Sequence, residues 1–461
     1  MKTPVTKTES FNRGKLSLKN IGKYLSLIIG SVILLCMLTF IFIPDPFINT
    51  LLKDQITKAF TKAYPEYSIQ IGEMYYSVWK NRLGFDSIRL KARNSTFSGN
   101  VASISVSGIG WIKILWKRDF TVNDLSSSVI DAQKLVFNFQ KSQTELSIGM
   151  LHISAPDSEL TADSIKYHPS VDDEHFFAKS QFRQTRFRFD ISQLKIMGLD
   201  FSSLLQRGIY NTRNININGV FADILVNKDK SFDVNSTNPQ MPNDALLTLK
   251  KIIKVDSLNI LNGRLKYCER IAIGATPGVI TLNNITASVS GITNDTAHPD
   301  TAVINAEGIF MNSGTMKLFM IIPLTSKDFS LQYYGSLSTM DATKLNSFIE
   351  PVEHHRIKSG IIRSATYNIS VNSGHATGSL KVVYKDLSIA VLNKATGSEK
   401  GIYNRISSFI GKTFVIRESN KLDEKGLMII GEIKYTRMPD EPFLQFVWFA
   451  LRSGIGNVVG F

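Results

Sequence analysis

Cysteine is nearly absent. The 461 residues hold two, Cys36 and Cys268, too few for a disulfide-stapled scaffold or a paired-cysteine metal site. The usual catalytic signatures are missing too. There is no GxSxG elbow, and Glu353-His354-His355 lacks the HExxH spacing. Gly411-Lys412-Thr413 ends like a phosphate-binding loop, but the position that should open the loop with glycine is Ile406, so the backbone cradle cannot form. Gly454-Ile455-Gly456 suggests a dinucleotide fingerprint, with no strand–helix–strand unit after it. The chain is therefore read as non-enzymatic, with no metal and no cofactor. Disorder is excluded as well, because 43% apolar and 20% charged residues supply a sizeable core.

Charge is absent over residues 24–43, YLSLIIGSVILLCMLTFIFI. Twenty residues at about 1.5 Å rise match the roughly 30 Å hydrocarbon core of a bilayer. The run is longer than the apolar stretch of a cleavable signal and passes into Pro44-Asp45-Pro46 without a small-x-small cleavage site, so it reads as an uncleaved anchor. Six cations precede it (Lys2, Lys7, Arg13, Lys15, Lys19, Lys23) against Glu9, and none follows before Lys53. The positive-inside rule then makes 1–23 a cytoplasmic tail and places 44–461 across the membrane. A net charge of +14 would otherwise suggest nucleic acid; beyond a membrane that partner falls away. With one cysteine past the anchor, no internal disulfide is possible there. A Gram-negative periplasm, with the inner membrane as the site of anchoring, suits such a chain better than a eukaryotic secretory lumen.

What is plentiful is alternation. Residues 46–64 still show a helical stripe (Ile48, Leu51, Leu52, Ile56, Ala59, Phe60, Ala63) ended by Pro65. After it the period is two: Ala102-Ile104-Val106, Phe187-Phe189-Ile191, Ile215-Ile217, Ala365-Tyr367-Ile369-Val371, Leu380-Val382-Tyr384 and Ile433-Tyr435 each alternate with polar residues. That pattern marks half-buried strands with one wet face from about residue 66 to 437. Short helical patterns interrupt them at 111–116, 202–206, 341–349 and 403–410. Residues 90 apart also correspond: Gly108 with Gly198, Leu115 with Leu205, Phe120 with Tyr210, Ala132 with Ala222. The expected fold is mainly β: a transmembrane helix, then an elongated, curled antiparallel sheet with a few short helices. It divides into a first region over 65–254 holding two repeats of about 90 residues, a second over 255–437, and an apolar segment over 438–461.

Two clusters invite chemistry. His168, Asp172, Asp173, Glu174 and His175 are the densest set of potential ligands, but they lie in a polar stretch near Pro156 and Pro169 and read as a solvated loop. The segment 182–189, FRQTRFRF, reads as a strand with phenylalanines inward and arginines outward; the alternative is a cationic strip facing lipid phosphates.

The anchor, VASISVSGIGWIKILWKRDFTVNDLSSSVIDA and its second copy LKIMGLDFSSLLQRGIYNTRNININGVFADILVNKDKS together resemble the AsmA-like family of inner-membrane-anchored periplasmic proteins, which includes TamB-type relatives. VDSLNILNGRLKYCER and KSGIIRSATYNISV extend the likeness over most of 20–390. The resemblance implies a repeating β-groove with an apolar inner face that handles phospholipid acyl chains between the membranes and contributes to outer-membrane homeostasis. On that basis Ile104, Val106, Phe187, Phe189, Ile215, Ile217, Ile369 and Val371 are expected to point into the groove, and Ser105, Arg188, Asn216 and Ser370 away from it. Phe443, Phe446, Trp448, Phe449 and Leu451, within a dense apolar tail, are expected to meet a membrane or an envelope protein rather than complete the core. The alternative is a structural or assembly factor of envelope biogenesis whose groove is filled by its own side chains; a third is a scaffold that binds a polyanion.

Overall fold

A computed structural model of the chain describes residues 30–31, 57–58, 60–62, 64–77, 81–108, 126–233, 235, 238–393, 399–402, 405–407 and 413–460. The expected cytoplasmic tail and the helical turn at 111–116 lie outside them. Of the apolar run 24–43 only Gly30 and Ser31 are described, both helical. Among the described residues no helix is long and apolar enough to cross a membrane. Of the expected 46–64 helix, Thr57, Lys58 and Phe60–Lys62 are helical, and Phe60 is fully buried.

Among the described residues nineteen strands form one large, curled, unclosed sheet. At one edge β1 (Tyr67–Gln70) and β2 (Met74–Ser77) both pair with β3 (Arg82–Ala92). An antiparallel meander continues through β4 (Phe97–Ser107), β5 (Val129–Phe139), β6 (Thr144–Ser154), β7 (Glu159–Pro169), β8 (Gln184–Met197) and β9 (Tyr210–Asn227). A second meander comprises β10 (Ile253–Arg270), β11 (Gly278–Thr293), β12 (Ala302–Phe310), β13 (Gly314–Ile322) and β14 (Leu331–Leu337). The two-residue β15 (Met340–Asp341) and β14 both pair with β16 (His355–Asn372), which pairs with β17 (His375–Leu392). Beyond β17 lie β18 (Glu399–Ile402) and, after the separate hairpin β19 (Arg405–Ser407) and β20 (Thr413–Val415), β21 (Ile430–Thr436). The helical pattern expected at 403–410 is thus wrong where it is described, since 405–407 are strand.

The sheet is not wholly antiparallel, which corrects a second expectation. β9 and β10 run parallel, Ile215 beside Leu258 and Ile217 beside Ile260. A parallel pair needs a crossover of a dozen residues or more. Residues 228–252 provide it, carrying a short helix and returning the chain to the end where β9 began. The sheet continues unbroken through this seam, and the expected division at 254/255 falls two residues inside β10.

The curl has a local cause. At one level across the sheet the ladder skips a residue on strand after strand. There Ser87, Lys134, Ser164, Gly219, Asn262 and Asn284 have positive φ. Each is a bulge-like kink that bends its strand and increases twist; aligned, they bend the whole sheet about one face. Each kink also switches parity. β4, which has no positive φ of its own, changes parity at the same level: Phe97, Gly99 and Val101 are buried on one side of it and Ile104 and Val106 on the other.

Among the described residues, besides the helical ones named above, five helices decorate the sheet: α1 (Asp173–Ala178), α2 (Phe201–Arg207), α3 (Pro242–Leu247), α4 (Asn346–Glu353), which follows a 3₁₀ turn over Ala342–Leu345, and α5 (Phe443–Val459). α2 begins where Asp200 accepts bonds from the Ser203 amide and hydroxyl, and ends at left-handed Gly208. The Ser203 bonds hold the Asp200 carboxyl below its usual pKa. α1 replaces the expected loop because Asp172 caps it in the same way, through the His175 amide.

Candidate functional site: an apolar inner face

One row of side chains can be followed across the sheet by cross-strand neighbours alone. It runs Val106, Ile130, Ile153, Leu160, Ile196, Ile215, then across the parallel seam to Leu258, Val289, Ile304, Met320, Tyr333 and Ile369. Cross-strand partners share a face, so every member looks to the same side. A second row starts from Ile104 and passes through Ala132, Leu151, Ala162, Leu194 and Ile217 to Ile260. Beyond the kink line, Tyr167, Phe189, Ala222, Leu265, Leu282 and Phe310 make a third, with Phe187, Ile224 and Tyr267 next to it. Val371 joins the same face beside Leu331 and Ala376. All eight residues expected in a groove therefore share one surface.

Their surroundings differ. Ile104 and Val106 are buried in a cluster with Phe60, Phe85, Ile130 and Phe137, against which Phe201 and Leu205 of α2 also pack. Ile369 and Val371 are buried in a second cluster with Tyr333, Leu380 and Ile433, roofed by Phe446 and Ala450 of α5. Between these ends the rows are open. Ile215, Ile217, Phe189, Leu258 and Ile304 are half-buried, and Phe187 is 40% exposed although it stacks on Phe189 at 6.0 Å. The inner face is a cradle, covered at both ends and apolar throughout its middle.

Polar groups on this face are few and uncharged. Burial raises the phenol pKa of Tyr167 and Tyr333 and pushes that of Tyr367 up to about 12. Tyr267 is raised by burial and by Glu269, to which it donates a 2.7 Å bond. These tyrosines are neutral hydroxyls at physiological pH. Glu269 is the exception, a buried carboxylate paired with Lys228 at 2.7 Å at the end of the face. There α4 closes in, its Phe348 and Val352 lying against Gly278.

The opposite face is wet. Ser105, Arg188, Asn216 and Ser370 lie on it, and polar ladders knit the seam: Asn214 donates to Ser257 (2.9 Å), Asn259 to Asn216 (3.1 Å) and Asn262 to Asn218 (2.9 Å). The arginines of β8 do not form a free cationic strip. Arg186 is 3% exposed beneath α1, 3.0 Å from Asp223 and 3.1 Å from Asp173, and Arg188 reaches Asp173 at 2.8 Å. Phe177 of α1 packs on Leu225 and Cys268, whose thiol pKa is raised by burial. The five-residue acidic and histidine cluster is dispersed: His168 contacts Asp190, His175 contacts Asp172, Asp173 holds the arginines and Glu174 pairs with Arg270. Among the described residues no group of three or more His, Cys, Asp or Glu side chains could hold a metal ion.

The tail corrects the sequence expectation. α5 lies on the inner face with Phe446, Ala450, Gly454 and Val458 buried at four-residue intervals. Phe446 is fully enclosed by Phe329, Tyr435 and the second cluster, so it completes the core. Phe443, Phe449 and Leu451 are half-buried; Leu444 and Trp448 are 61% and 40% exposed. The helix is apolar on both sides because one side serves the sheet, and that inner demand is invisible in a linear sequence. Phe461 lies outside the described residues. Sequence reading also missed Leu258, Ile260, Val289 and Ile304, whose alternation is interrupted by the kinks at Asn262 and Asn284; the Leu258-Asn259-Ile260 triplet was the available signal.

No protein-family model matches the chain, and no curated protein matches its sequence.

Proposed function

We propose that this is an AsmA-like protein, anchored in the inner membrane with residues 44–461 in the periplasm, that holds phospholipid acyl chains on the open middle of its inner face and takes part in phospholipid handling and outer-membrane homeostasis. The supporting observation is the exposure of Phe187, Phe189, Ile215 and Ile217 on a continuous apolar surface that the described helices leave uncovered. Apolar area left in water costs roughly 25 cal/mol per Å², and exposed apolar patches of this kind mark ligand grooves or interfaces. Fully extended acyl chains match a strip with almost no polar groups to satisfy. The first cluster reaches Ala162 on β7 and the second Ala302 on β12, so four strands, β8 to β11, separate the covered ends; at roughly 4.8 Å per strand that is about 19 Å of surface on which an acyl chain can lie. The outward side of α5, with Leu444 and Trp448, is the part of the tail left to meet a membrane or envelope partner.

Native mass spectrometry of the detergent-free 44–461 ectodomain tests this. Co-purifying phospholipid is the expected result. A stable, folded ectodomain with no bound lipid, which also takes none from vesicles, would favour an assembly factor with a self-filled groove.

A further inference from the structure

We propose that α5 is the groove's own occupant and that lipid chains and α5 compete for the end of the inner face it covers; this rests on the lipid reading above. The surface under α5 is the continuation of the open one. The row holding Ile215 and Leu258 passes without a break into Met320, Tyr333 and Ile369, and at that end α5 lies on it. α5 meets that surface as an acyl chain would, through an apolar stripe. Close approach is secured by two glycines. A Cβ on Gly431 would strike the Gly454 backbone, and one on Gly454 would stand 2.8 Å from Ile433 and 3.1 Å from the Leu380 Cβ.

The polar fastenings of α5 gather towards its two ends, where the Arg417 amide also donates to the Val459 carbonyl at 2.9 Å, with the Lys434 amide donating to Ser453 at 3.3 Å between them. Tyr333 donates to the Val447 carbonyl at 3.1 Å, Tyr384 to that of Val458 at 3.3 Å, and Arg417 to that of Asn457 at 2.8 Å. Arg452 pairs with Glu353 at 3.1 Å where both side chains are substantially exposed, a contact of small energetic weight. The connection from β21 contains Pro439 and Pro442 and is pinned by Glu441, which accepts bonds from Tyr435 and from the Met438 amide. That pin holds the root of α5 while its stripe leaves the sheet. A helix seated by apolar contacts on a surface shaped for apolar ligands is displaced by mass action when such a ligand is in excess. The covered end is then a gate, and passage of a chain toward β17 requires α5 to lift.

Unseating α5 tests the gate. Gly454→Leu places a side chain where Ile433 and Leu380 already stand and lifts the stripe from the sheet. Photo-reactive benzoylphenylalanine replaces Phe187 in the open stretch or Tyr367 beneath the α5 cluster, both aromatic for aromatic, in the full chain with phosphatidylethanolamine–phosphatidylglycerol vesicles. Lipid adducts are expected at both positions. Gly454→Leu should raise capture at Tyr367 roughly tenfold and leave capture at Phe187 intact. Equal capture at Tyr367 with and without Gly454→Leu, or none in either while Phe187 captures, overturns the gate and leaves the lipid reading standing. No capture at Phe187 overturns both. Amide exchange in the unsubstituted chain provides a measurement free of folding artefacts: excess vesicles should accelerate exchange across Phe443–Val459 about tenfold, and unchanged protection contradicts the gate.

Discussion

Ile217 and Ile369 stand on the same face of the same sheet, yet their substitution by aspartate should have opposite consequences. Ile369 is 0% exposed beneath the α5 cluster, so Ile369→Asp buries an unpaired charge and should lower the melting temperature sharply, by the equivalent of several kcal/mol, on the order of 3–5. Ile217 is half-buried in the open stretch. Ile217→Asp should leave thermal unfolding nearly unchanged and reduce lipid uptake from vesicles. On the other face Arg186 lies between Asp173 and Asp223. Removing it with Arg186→Ala strands Asp223, and denaturant unfolding should show a loss of about 3–5 kcal/mol. pH acts on a different set of residues. Hydrogen bonds from Lys195 to Glu159 and from Arg356 to Glu350 hold both carboxyls below their usual pKa. A depressed folded-state pKa stabilises above the unfolded value, about 4.3 for glutamate, and that stabilisation disappears as pH falls through the folded value. The melting temperature should therefore decline from about pH 4.5 downward, and Glu159→Gln should shallow that decline; an identical slope in the variant would remove Glu159 from the account.

At the scale of elements, α5 carries the clearest consequence. Phe446→Ala opens a cavity in the second cluster and should cost about 3–5 kcal/mol by denaturant unfolding. Trp448→Ala, two residues away on the exposed side, should fall within about 0.5 kcal/mol of the parent. Similar losses for the two would mean that the helix is not seated as described. How much of this was legible differs by element. The alternations at Ile104-Val106 and Ile215-Ile217 gave strands whose apolar residues share one face, because period-two patterning survives wherever a strand is long and one-sided. The parity switch at residues such as Lys134 and Asn262 was not legible: a positive φ at Lys134 or Ser164 has no glycine to announce it. Nor was the parallel seam, since β9 and β10 each look like ordinary strands and their direction depends on where 228–252 returns the chain. The polarity of the α1 segment alone reads as a loop; the Asp172 cap and the buried Arg186 beneath it make it a helix.

Across the whole molecule the geometry comes from repetition. Kinks at one level on β3, β5, β7, β9, β10 and β11 turn a flat meander into a cradle whose inner rows are apolar and whose outer rows are serine, asparagine and paired charges. The covers at the two ends leave the middle open among the described residues, and that open middle is the central claim. Its most direct test places benzoylphenylalanine at Phe187 or Ile215 on the inner face and at Asn216 or Ser370 on the outer face, in the full chain within phosphatidylethanolamine–phosphatidylglycerol membranes. Mass spectrometry of the irradiated protein should find phospholipid adducts at Phe187 and Ile215 and almost none at Asn216 and Ser370. Equal labelling of the two faces, or no adduct on the inner face of a folded protein, would contradict it.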